Sequence, residues 1–450
     1  MASSETARQG IPVLRSPGFK LLLIVLLTIA TAVPLLMIEF ALSDRQERAS
    51  EAAQDVASGW GGAQSIAGPM LFVPYEVTQE SVVDGKTVQT TNRFTAVLLP
   101  STLDLDTRAD TERRWRGIFP VPVYRAGVSL RAQFDKADIA GLAPDGARML
   151  WSQAYVGILI SDVRGLAGNI ALEVNSRKVG FEPGIGVDGT TAAGIHAPLA
   201  LNGPPEGLTL AADFALRGSR ELSFASLGRQ TTARLRSAWP DPSFFGAFLP
   251  AQHSIGAKGF DAAWAVPYLA RGYGQSFGTP ETALPAVQSN ANFGVRFYQP
   301  VDFYQLVERS LKYAVLFVGL AFLIFFVAEL VSGRRLHAAQ YTLIGSAQVL
   351  FYLLLLSFAE HIGFTGAYAL AGSATVLLTA FYAASAFASA RKAAILAVVL
   401  TALYGLLYLI LQQEDYALLI GALVLFCALA ATMFTTRRVD WSRVVPQPAA

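Results

Sequence analysis

The sequence predicts a membrane protein with six transmembrane α-helices and a large all-β, sandwich-like domain inserted between the first and second of them. Charged residues make up only 15% of the 450-residue chain, whereas a soluble domain carries about 25%. The charge is missing from apolar stretches that are long enough to cross a bilayer. Between the first and second of these stretches, short β-rich segments alternate with turns that contain Gly, Pro or Asp.

Six segments have the length of a membrane-spanning helix, which needs about 20 apolar residues to cross a hydrocarbon core of about 30 Å. The fourth is longer than the others because it includes a glycine-containing entry, GFTGAYALAG. The six predicted spans are residues 21–38, 313–328, 341–359, 362–390, 393–411 and 416–436.

Charges in the loops predict the orientation, because cytoplasmic loops are enriched in Lys and Arg. Basic residues occur at the two termini and after spans two and four: Arg8, Arg15 and Lys20; Arg334, Arg335 and His337; Arg391 and Lys392; Arg437, Arg438 and Arg443. The loops after spans three and five contain acidic residues instead: Glu360 beside His361, and Glu414 with Asp415. Both termini are therefore predicted to be cytoplasmic, in the inner membrane of a Gram-negative-type envelope.

This topology divides the chain into a cytoplasmic tail (1–20), a first transmembrane helix (21–42), a periplasmic β-rich domain (43–310), a five-helix bundle (311–436) and a cytoplasmic tail (437–450). A cleaved signal peptide is the alternative for the first span, since Ala30, Thr31 and Ala32 form an A-x-A-like site after a basic region. The apolar run continues past that site to Leu42, which favours a membrane anchor.

The predicted periplasmic domain begins as a helix and continues as strands. Residues 43–59 are rich in Ala and charge, and Asp44 with Arg48 is a helix-supporting pair. Farther along, runs such as VSLRAQF and LTLAADF alternate polar and apolar residues, as half-buried strands do. The one cysteine, Cys427, lies in the last span, so this domain is predicted to fold without disulfides. Asp302 and Gln305 resemble a capping box at the start of the helix that leads into span two.

Two glycine motifs in this domain match the sequence patterns of known sites. Residues 184–189 match G-x-G-x-x-G, but Pro183 precedes the motif and a poor helix former follows it, which favours a β-turn over a dinucleotide site. Ser276 is the serine of a G-x-S-x-G motif whose flanks are typical of a loop. With His196 or His253 as a base, Ser276 makes a periplasmic hydrolase one alternative function.

Other classes of site find little support in the composition. The four histidines are scattered without ligand spacing, so no metal site is predicted. There is no P-loop, and no cofactor or nucleotide is expected. A net charge of +2 gives no reason to expect nucleic acid as a partner.

Polar residues within the spans are the strongest functional indicators in a membrane protein. Glu39, Glu329, Glu360 and His361 all fall near span ends. Ion-coupled transporters place such groups at mid-depth, so this pattern argues against one. The deepest polar pair is Gln348 and Tyr352, one turn apart in span three. A face of small or hydroxylated residues in span four is typical of helix packing: Thr375, Thr379, Tyr382, Ser385 and Ser389.

The order of certain segments resembles the CreD family of inner-membrane proteins, which is linked to cell-envelope integrity. The stretches that carry the resemblance are GPMLFVPY (68–75), LLPSTLDLD (98–106), SAWPDPSFFGAFLP (237–250), VDFYQLVERSLKYAVLF (301–317), RRLHAAQYTLIG (334–345), FYLLLLSFAEHIGFT (351–365) and MFTTRRVDW (433–441). They run collinearly along nearly the whole chain. The longer polar N-terminus before Ser16 departs from the family pattern. The resemblance implies a role in envelope integrity or envelope-stress response, and it supplies no catalytic residues.

The expected function is therefore non-enzymatic: the periplasmic domain binds an envelope component or a partner protein. The alternatives to this function are the Ser276 hydrolase and a lipid or small-solute transporter. A transporter needs a polar-lined cavity between spans three and five. The expected partners are the lipid bilayer and an envelope protein or lipid.

Three groups of candidate site residues follow from the sequence. Glu308, Arg309 and Lys312 lie where the β domain is predicted to meet span two, and are candidates for coupling the domain to the membrane. Trp239, Phe244 and Phe245 are candidates for an aromatic loop at the membrane surface. Gln348, Tyr352 and Glu360 are candidates for polar contacts within the membrane. The alternative for all of them is ordinary core packing or snorkelling.

Overall fold

A computed structural model of the chain describes residues 17–83, 86–143, 145–168, 170–187, 190, 192–278, 284, 292–297, 303–413 and 416–437. Predictions that concern residues 1–16, Asp302, Glu414, Asp415 and residues 438–450 fall outside this part of the chain.

Long apolar helices flank a β-rich region. The helices are α1 (Pro17–Trp60), α2 (Lys136–Ala140), α3 (Phe303–Ser332), α4 (Ala338–Phe387), α5 (Ala390–Gln412) and α6 (Ala417–Thr436). By length and composition, α1, α3, α4 and α5 can cross a membrane, whereas the apolar part of α6, Leu419–Thr435, is shorter. The described residues thus contain four such helices where six spans were predicted. The difference arises because α4 includes two predicted spans and because the described apolar part of α6, Leu419–Thr435, is shorter than the four other helices.

Helix α4 reverses direction at Gly363. That residue has φ 75° and ψ 167°, a non-helical conformation. The rings of Phe351 and Tyr368 have centroids 5.3 Å apart, although a straight helix rising about 1.5 Å per residue would separate these positions by about 26 Å. The two arms of α4, residues 338–362 and 364–387, therefore lie antiparallel as a helical hairpin.

The chain forms two compact units, which are described separately. The helical unit consists of Met1–Arg48 and Val301–Ala450, and the β unit consists of Ala49–Pro300, so α1 contributes residues to both. Within the helical unit, large apolar side chains are buried where the helices pack, among them Phe322, Phe325, Phe351, Leu400 and Leu407. These side chains belong to α3, α4 and α5.

The β unit is built almost entirely of strands in the residues that the structure describes. They are β1 (Gln64–Val83), β2 (Lys86–Leu98), β3 (Thr102–Arg116), β4 (Phe119–Asp135), β5 (Ala147–Met149), β6 (Tyr155–Ile160), β7 (Leu166–Ala167), β8 (Ala171–Val174), β9 (Arg177–Gly180), β10 (Glu182–Pro183), β11 (Gly194–Pro198), β12 (Gly207–Ser219), β13 (Glu221–Ala225), β14 (Gln230–Ser237), β15 (Pro242–Gly246), β16 (Gln252–Gly256), β17 (Gly259–Pro267), β18 (Ser276–Phe277) and β19 (Asn292–Phe297). This confirms the prediction of a large β-rich domain after the first apolar helix.

The strands form two sheets. The first has the order β10-β11-β6-β1-β13-β19-β15, with β2 and β5 also on β1 and β18 on β2. The second has the order β16-β17-β14-β3-β4-β12-β8-β9, with β7 also on β12. Most neighbours are antiparallel, but β1 with β13 and β3 with β14 are parallel pairs.

One hydrophobic core lies between the two sheets. Phe72 and Phe224 of the first sheet and Leu130 and Phe134 of the second belong to the same buried cluster. Along β3, buried and exposed residues alternate, as the polar–apolar pattern requires when one face is covered. Sheets that share a core in this way pack face to face, so the β unit is a two-layer sandwich.

The last turns of α1 belong to the β unit and pack on the hairpin of β3 and β4. Ala53 and Trp60 contact Val121 and Val123 in a small apolar cluster. The guanidinium of Arg114 lies 3.6 Å from the centroid of the Trp60 ring. The predicted helical continuation of span one is therefore present.

Candidate functional site

Glu360 is the centre of a polar cluster at one end of the helical unit. It lies near the end of the first arm of α4, and its side chain is only 7% exposed. The hydroxyl of Tyr304, in the first turn of α3, donates a 3.2 Å hydrogen bond to Oε1. Arg45 of α1 lies 3.5 Å from Oε2. A desolvated carboxylate needs such partners, so the contacts hold three helices together at this point.

The coupling residues predicted from the sequence lie in the same helical unit, on α3. Lys312 pairs with Glu308, one turn earlier, at 2.8 Å. Glu308 also hydrogen-bonds with the side chain of Gln46 on α1. Arg309 donates a 3.1 Å bond to the carbonyl of Gln413, which follows α5. We call these residues, with Glu360, Tyr304 and Arg45, the Glu360 cluster; it connects α1, α3, α4 and the end of α5.

Gln348 lies in a second polar cluster, within the packed helices. The Tyr404 hydroxyl donates a 2.7 Å bond to Gln348 Oε1, and the Tyr368 hydroxyl donates a 2.7 Å bond to the Tyr404 carbonyl. Gln348 Nε2 is buried and has no hydrogen-bond partner. The amide therefore connects the first arm of α4 to α5 and keeps one donor unsatisfied.

A small cavity adjoins this amide. Gln348, Tyr352 and Tyr404 line it together with apolar side chains, and its volume for a water-sized molecule is about 10 Å³. One water needs about 10–15 Å³ by this measure, together with two or more polar partners. The cavity can hold a single water that accepts from Gln348 Nε2, and it is too small for a transported solute.

Glu329 is the centre of a third polar cluster. Its carboxylate pairs with Lys20 of α1 and accepts a 2.9 Å hydrogen bond from the hydroxyl of Tyr341 on α4. Both Glu329 and Tyr341 are buried. The Glu329 cluster thus joins α1, α3 and α4, as the Glu360 cluster does.

The predicted hydroxylated face of span four is buried only in part: Ser385 is exposed, and Ser389 is the N-cap residue of α5. Thr375 and Thr379 are buried. Their hydroxyls donate to backbone carbonyls of the same helix, those of Ala371 and Thr375, at 2.9 and 2.6 Å. Because these hydroxyls bond within their own helix, their part in packing is to present small side chains to a neighbour.

The predicted aromatic loop is only partly at the surface of the β unit. Trp239 is 4% exposed and belongs to the core, so its ring is not available to a membrane interface. Phe244, in β15, packs edge-on against Trp264 with ring centroids 5.8 Å apart. Phe245 is partly buried, with the Arg296 guanidinium 5.0 Å from its ring. Trp239 therefore packs in the core, which is the alternative to a place at the membrane surface.

The two glycine motifs lie in β-structure. Residues 184–187 follow β10 and lead towards β11, its antiparallel partner, with residues 188 and 189 outside the described part. Ser276 lies in β18, which pairs with β2. A nucleophile elbow places its serine in the turn between a strand and a helix, whereas Ser276 lies within β18 itself. Among the described residues, no group of three His, Cys, Asp or Glu side chains could hold a metal.

Sequence reasoning missed several members of these clusters. Arg45, Tyr304 and Tyr404 were not singled out, although each contacts a residue that was. Arg45 carried a signal, since the predicted topology places Arg45 and Glu360 just beyond span ends on the same side of the membrane. Tyr304 and Tyr404 carried none, because their partners are distant in sequence.

The arrangement defines a class: a protein whose apolar helices are fastened by buried polar clusters and whose chain contains an inserted β sandwich. The family model "Inner membrane protein CreD" matches residues 16–442. The chain is also 32% identical over 415 residues to Inner membrane protein CreD of Escherichia coli (strain K12), covering 91% of this chain and 90% of that relative. The chain belongs to the CreD family of inner-membrane proteins, which confirms the resemblance found in the sequence.

Proposed function

We propose that this protein contributes to the integrity of the cell envelope without catalysis, and that its β unit acts by binding an envelope protein. Membership of an inner-membrane family supports a role in the cell envelope. The position of Ser276 outside a nucleophile elbow supports the non-enzymatic part. The small cavity beside Gln348 gives no support to solute transport.

The orientation forms part of this proposal. Residues 43–310 are periplasmic, and both termini are cytoplasmic, because the basic loops alternate with acidic ones. The antiparallel arms of α4 supply two crossings, and α6 supplies the sixth with a shorter apolar stretch. Six crossings place both ends of the chain on the same side.

The observation that carries the binding role is the free edge of the second sheet. Within the described residues, β16 pairs only with β17, and all five of its residues are exposed. Ile255 is 51% exposed and Leu249, just before the strand, is 70% exposed. An edge strand offers a row of unpaired backbone donors and acceptors. An extended segment of a partner can add to such an edge, with its side chains contacting Leu249 and Ile255.

The Glu360 cluster lies where binding at the β unit could affect the packing of the helices. Glu308, Arg309 and Lys312 couple α3 to α1 and to the end of α5 through the contacts described above. Both segments that lead from the helical unit into the β unit, α1 and the start of α3, carry residues of this cluster. A load on the β unit therefore reaches the Glu360 cluster through the covalent chain.

Site-specific photo-crosslinking in living cells tests the binding surface. A photoreactive residue at Gln252 or Ser254 on β16 should give a discrete crosslinked protein, whereas the same residue at exposed Thr209 in the middle of the sheet should not. Crosslinks that are equal at all three positions, or absent from β16, would contradict the proposal.

Variants test the functional link. Ile255→Asp places a charge on the edge strand and should weaken crosslinking at Gln252 and raise envelope permeability. Leu269→Asp is the matched control, because Leu269 is 90% exposed outside β16. If both variants retain normal permeability while a deletion of the whole chain does not, the edge of β16 is not the functional surface.

A further inference from the structure

An apolar groove of about 630 Å³ lies between α3, α5 and α6. Leu323 and Val327 of α3, Leu403 and Leu406 of α5 and Val424 of α6 are among the side chains that line it. A volume of several hundred Å³ with apolar walls is typical of sites for small apolar ligands. The groove lies wholly within the helical unit and is separate from the three polar clusters.

The polar side chains of the groove lie towards one end of the helices. Ser332 is the last residue of α3, Lys392 is in the first turn of α5, and Thr432 and Thr435 are in the last turns of α6. The lining of α3 extends from Leu320 to Ser332, which corresponds to about 18 Å of helix. One leaflet of the hydrocarbon core is about 15 Å thick. The groove therefore has about the length of one leaflet, and its polar end is the end that suits contact with lipid headgroups.

Basic residues occur at the helix ends that form this polar end. Arg334 and Arg335 follow α3, Arg391 and Lys392 begin α5, and Arg437 follows α6; all five are exposed. Within the described part of the chain, none of the five forms an ion pair with a carboxylate. Lys392 itself lines the groove. In the described part of the chain, the end of the groove thus presents positive charge that no ion pair neutralises.

We propose that the groove binds an acyl chain of an anionic phospholipid from the cytoplasmic leaflet, with the phosphate headgroup beside Lys392. The apolar length suits one chain, and the basic end suits a phosphate. A second copy of the protein fits less well, because its own five basic residues would meet those of the first. The assignment to the cytoplasmic leaflet rests on the orientation proposed above, whereas the binding of an acyl chain does not depend on what the β unit binds.

Lipid retention by the purified full-length protein tests this site. The protein is reconstituted in nanodiscs that contain equal amounts of phosphatidylglycerol and phosphatidylcholine, transferred to detergent, and its retained lipid is measured by native mass spectrometry. We expect about one phosphatidylglycerol per chain. Lys392→Gln should lower the preference for phosphatidylglycerol about fivefold, since one basic residue near a lipid surface contributes about 1 kcal/mol. Lys258→Gln, on the β unit, should leave the preference unchanged.

Filling the groove tests the acyl-chain part. Ala402 lines the groove, and Ala402→Phe should abolish retention of the lipid. Ala374→Phe is the matched control: Ala374 is exposed on the second arm of α4 and does not line the groove. The proposal is overturned if Ala402→Phe retains lipid like the unmodified protein or if Lys392→Gln keeps its preference. It is also overturned if Ala402→Phe instead abolishes a dimer.

Discussion

The Tyr404 hydroxyl donates a 2.7 Å hydrogen bond to Gln348 Oε1 and so joins α5 to the first arm of α4 inside the helical unit. Both side chains are buried, and the other amide atom of Gln348 has no protein partner. The bond lies where apolar packing alone would leave the relative rotation of the two helices weakly specified. A buried polar contact of this kind is expected to fix that rotation.

Removal of this bond should destabilise the helical unit. Tyr404→Phe leaves the Gln348 amide without a partner, at a cost of about 1–3 kcal/mol. In a double-mutant cycle with Gln348→Leu, the coupling should be about 0.6 kcal/mol and at most about 1.7 kcal/mol. Unfolding in mixed detergent micelles measures both. Tyr408→Phe is the control, since its hydroxyl contacts Thr365 at an exposed position; an equal loss in the control would contradict the prediction.

Gly363 should resist substitution. Its φ of 75° with ψ of 167° belongs to a region that is essentially restricted to glycine. A Cβ there meets nothing within 4 Å, so the penalty comes from the backbone conformation alone. We expect Gly363→Ala to cost about 1–3 kcal/mol. Gly405→Ala also has open space but lies inside α5, where Ala is the better helix former; a thermal shift should show the first variant destabilised and the second not.

Replacing Arg45 by alanine should destabilise the protein more than replacing Arg48, although both residues are on α1. Arg45→Ala removes the cationic partner of Glu360, whose side chain is 7% exposed, and leaves the carboxylate with the neutral hydroxyl of Tyr304. The expected cost is about 1–2 kcal/mol, below the roughly 3–5 kcal/mol of a fully buried pair, because Arg45 is half exposed. Arg48→Ala removes only an exposed pair with Asp44 and should cost less than about 0.5 kcal/mol. Glu360→Gln should restore stability to Arg45→Ala; failure to do so would show that the charge is not the cause.

Asp162 should make the β unit sensitive to acid. Hydrogen bonds from the side chain of Arg164, together with the backbone N–H groups of Gly62 and Arg164, hold the pKa of this carboxyl below its usual value. A depressed pKa in the folded state stabilises the fold above the usual Asp pKa, and that stability is lost as pH falls through the lower value. Melting temperatures measured from about pH 5 downwards should therefore fall, since an ordinary Asp titrates near about 3.9. Asp162→Asn should flatten this dependence, and Asp110→Asn, at an exposed position, should not.

Hydropathy and charge predicted where the helices of the helical unit lie in the sequence, but they did not predict the contacts between those helices. Charge-free stretches predicted α1, α3 and α5 because a bilayer demands apolar length. The predicted break between the spans 341–359 and 362–390, at Glu360 and His361, lies close to the reversal at Gly363 inside α4. The pairing of Glu360 with Arg45 was not predictable, because the two positions are brought together by packing rather than by spacing.

In the β unit, alternation of polar and apolar residues predicted strands, but not which aromatic rings are covered. Trp239 and Phe245 occur in the same Pro-rich segment, yet Trp239 is in the core and Phe245 is partly exposed. An aromatic side chain suits a core and a membrane interface alike, so residue type alone could not separate the two. The strand order decides, and it depends on distant segments.

The parallel pairs of β1 with β13 and of β3 with β14 delay the folding of the β unit. Gln64 lies beside Leu222 and Thr102 beside Gln230, so each early strand waits for a neighbour synthesised much later. Pairings between distant segments make folding slow, since a long loop must close before any contact compensates its entropy. β1 and β3 can pair early with β2 and β4, but the parts of these strands that pair with β13 and β14 would remain open to wrong partners until residues 222–237 have been synthesised. A chaperone that shields nascent strands should therefore speed the maturation of this protein more than that of a helical protein of equal length.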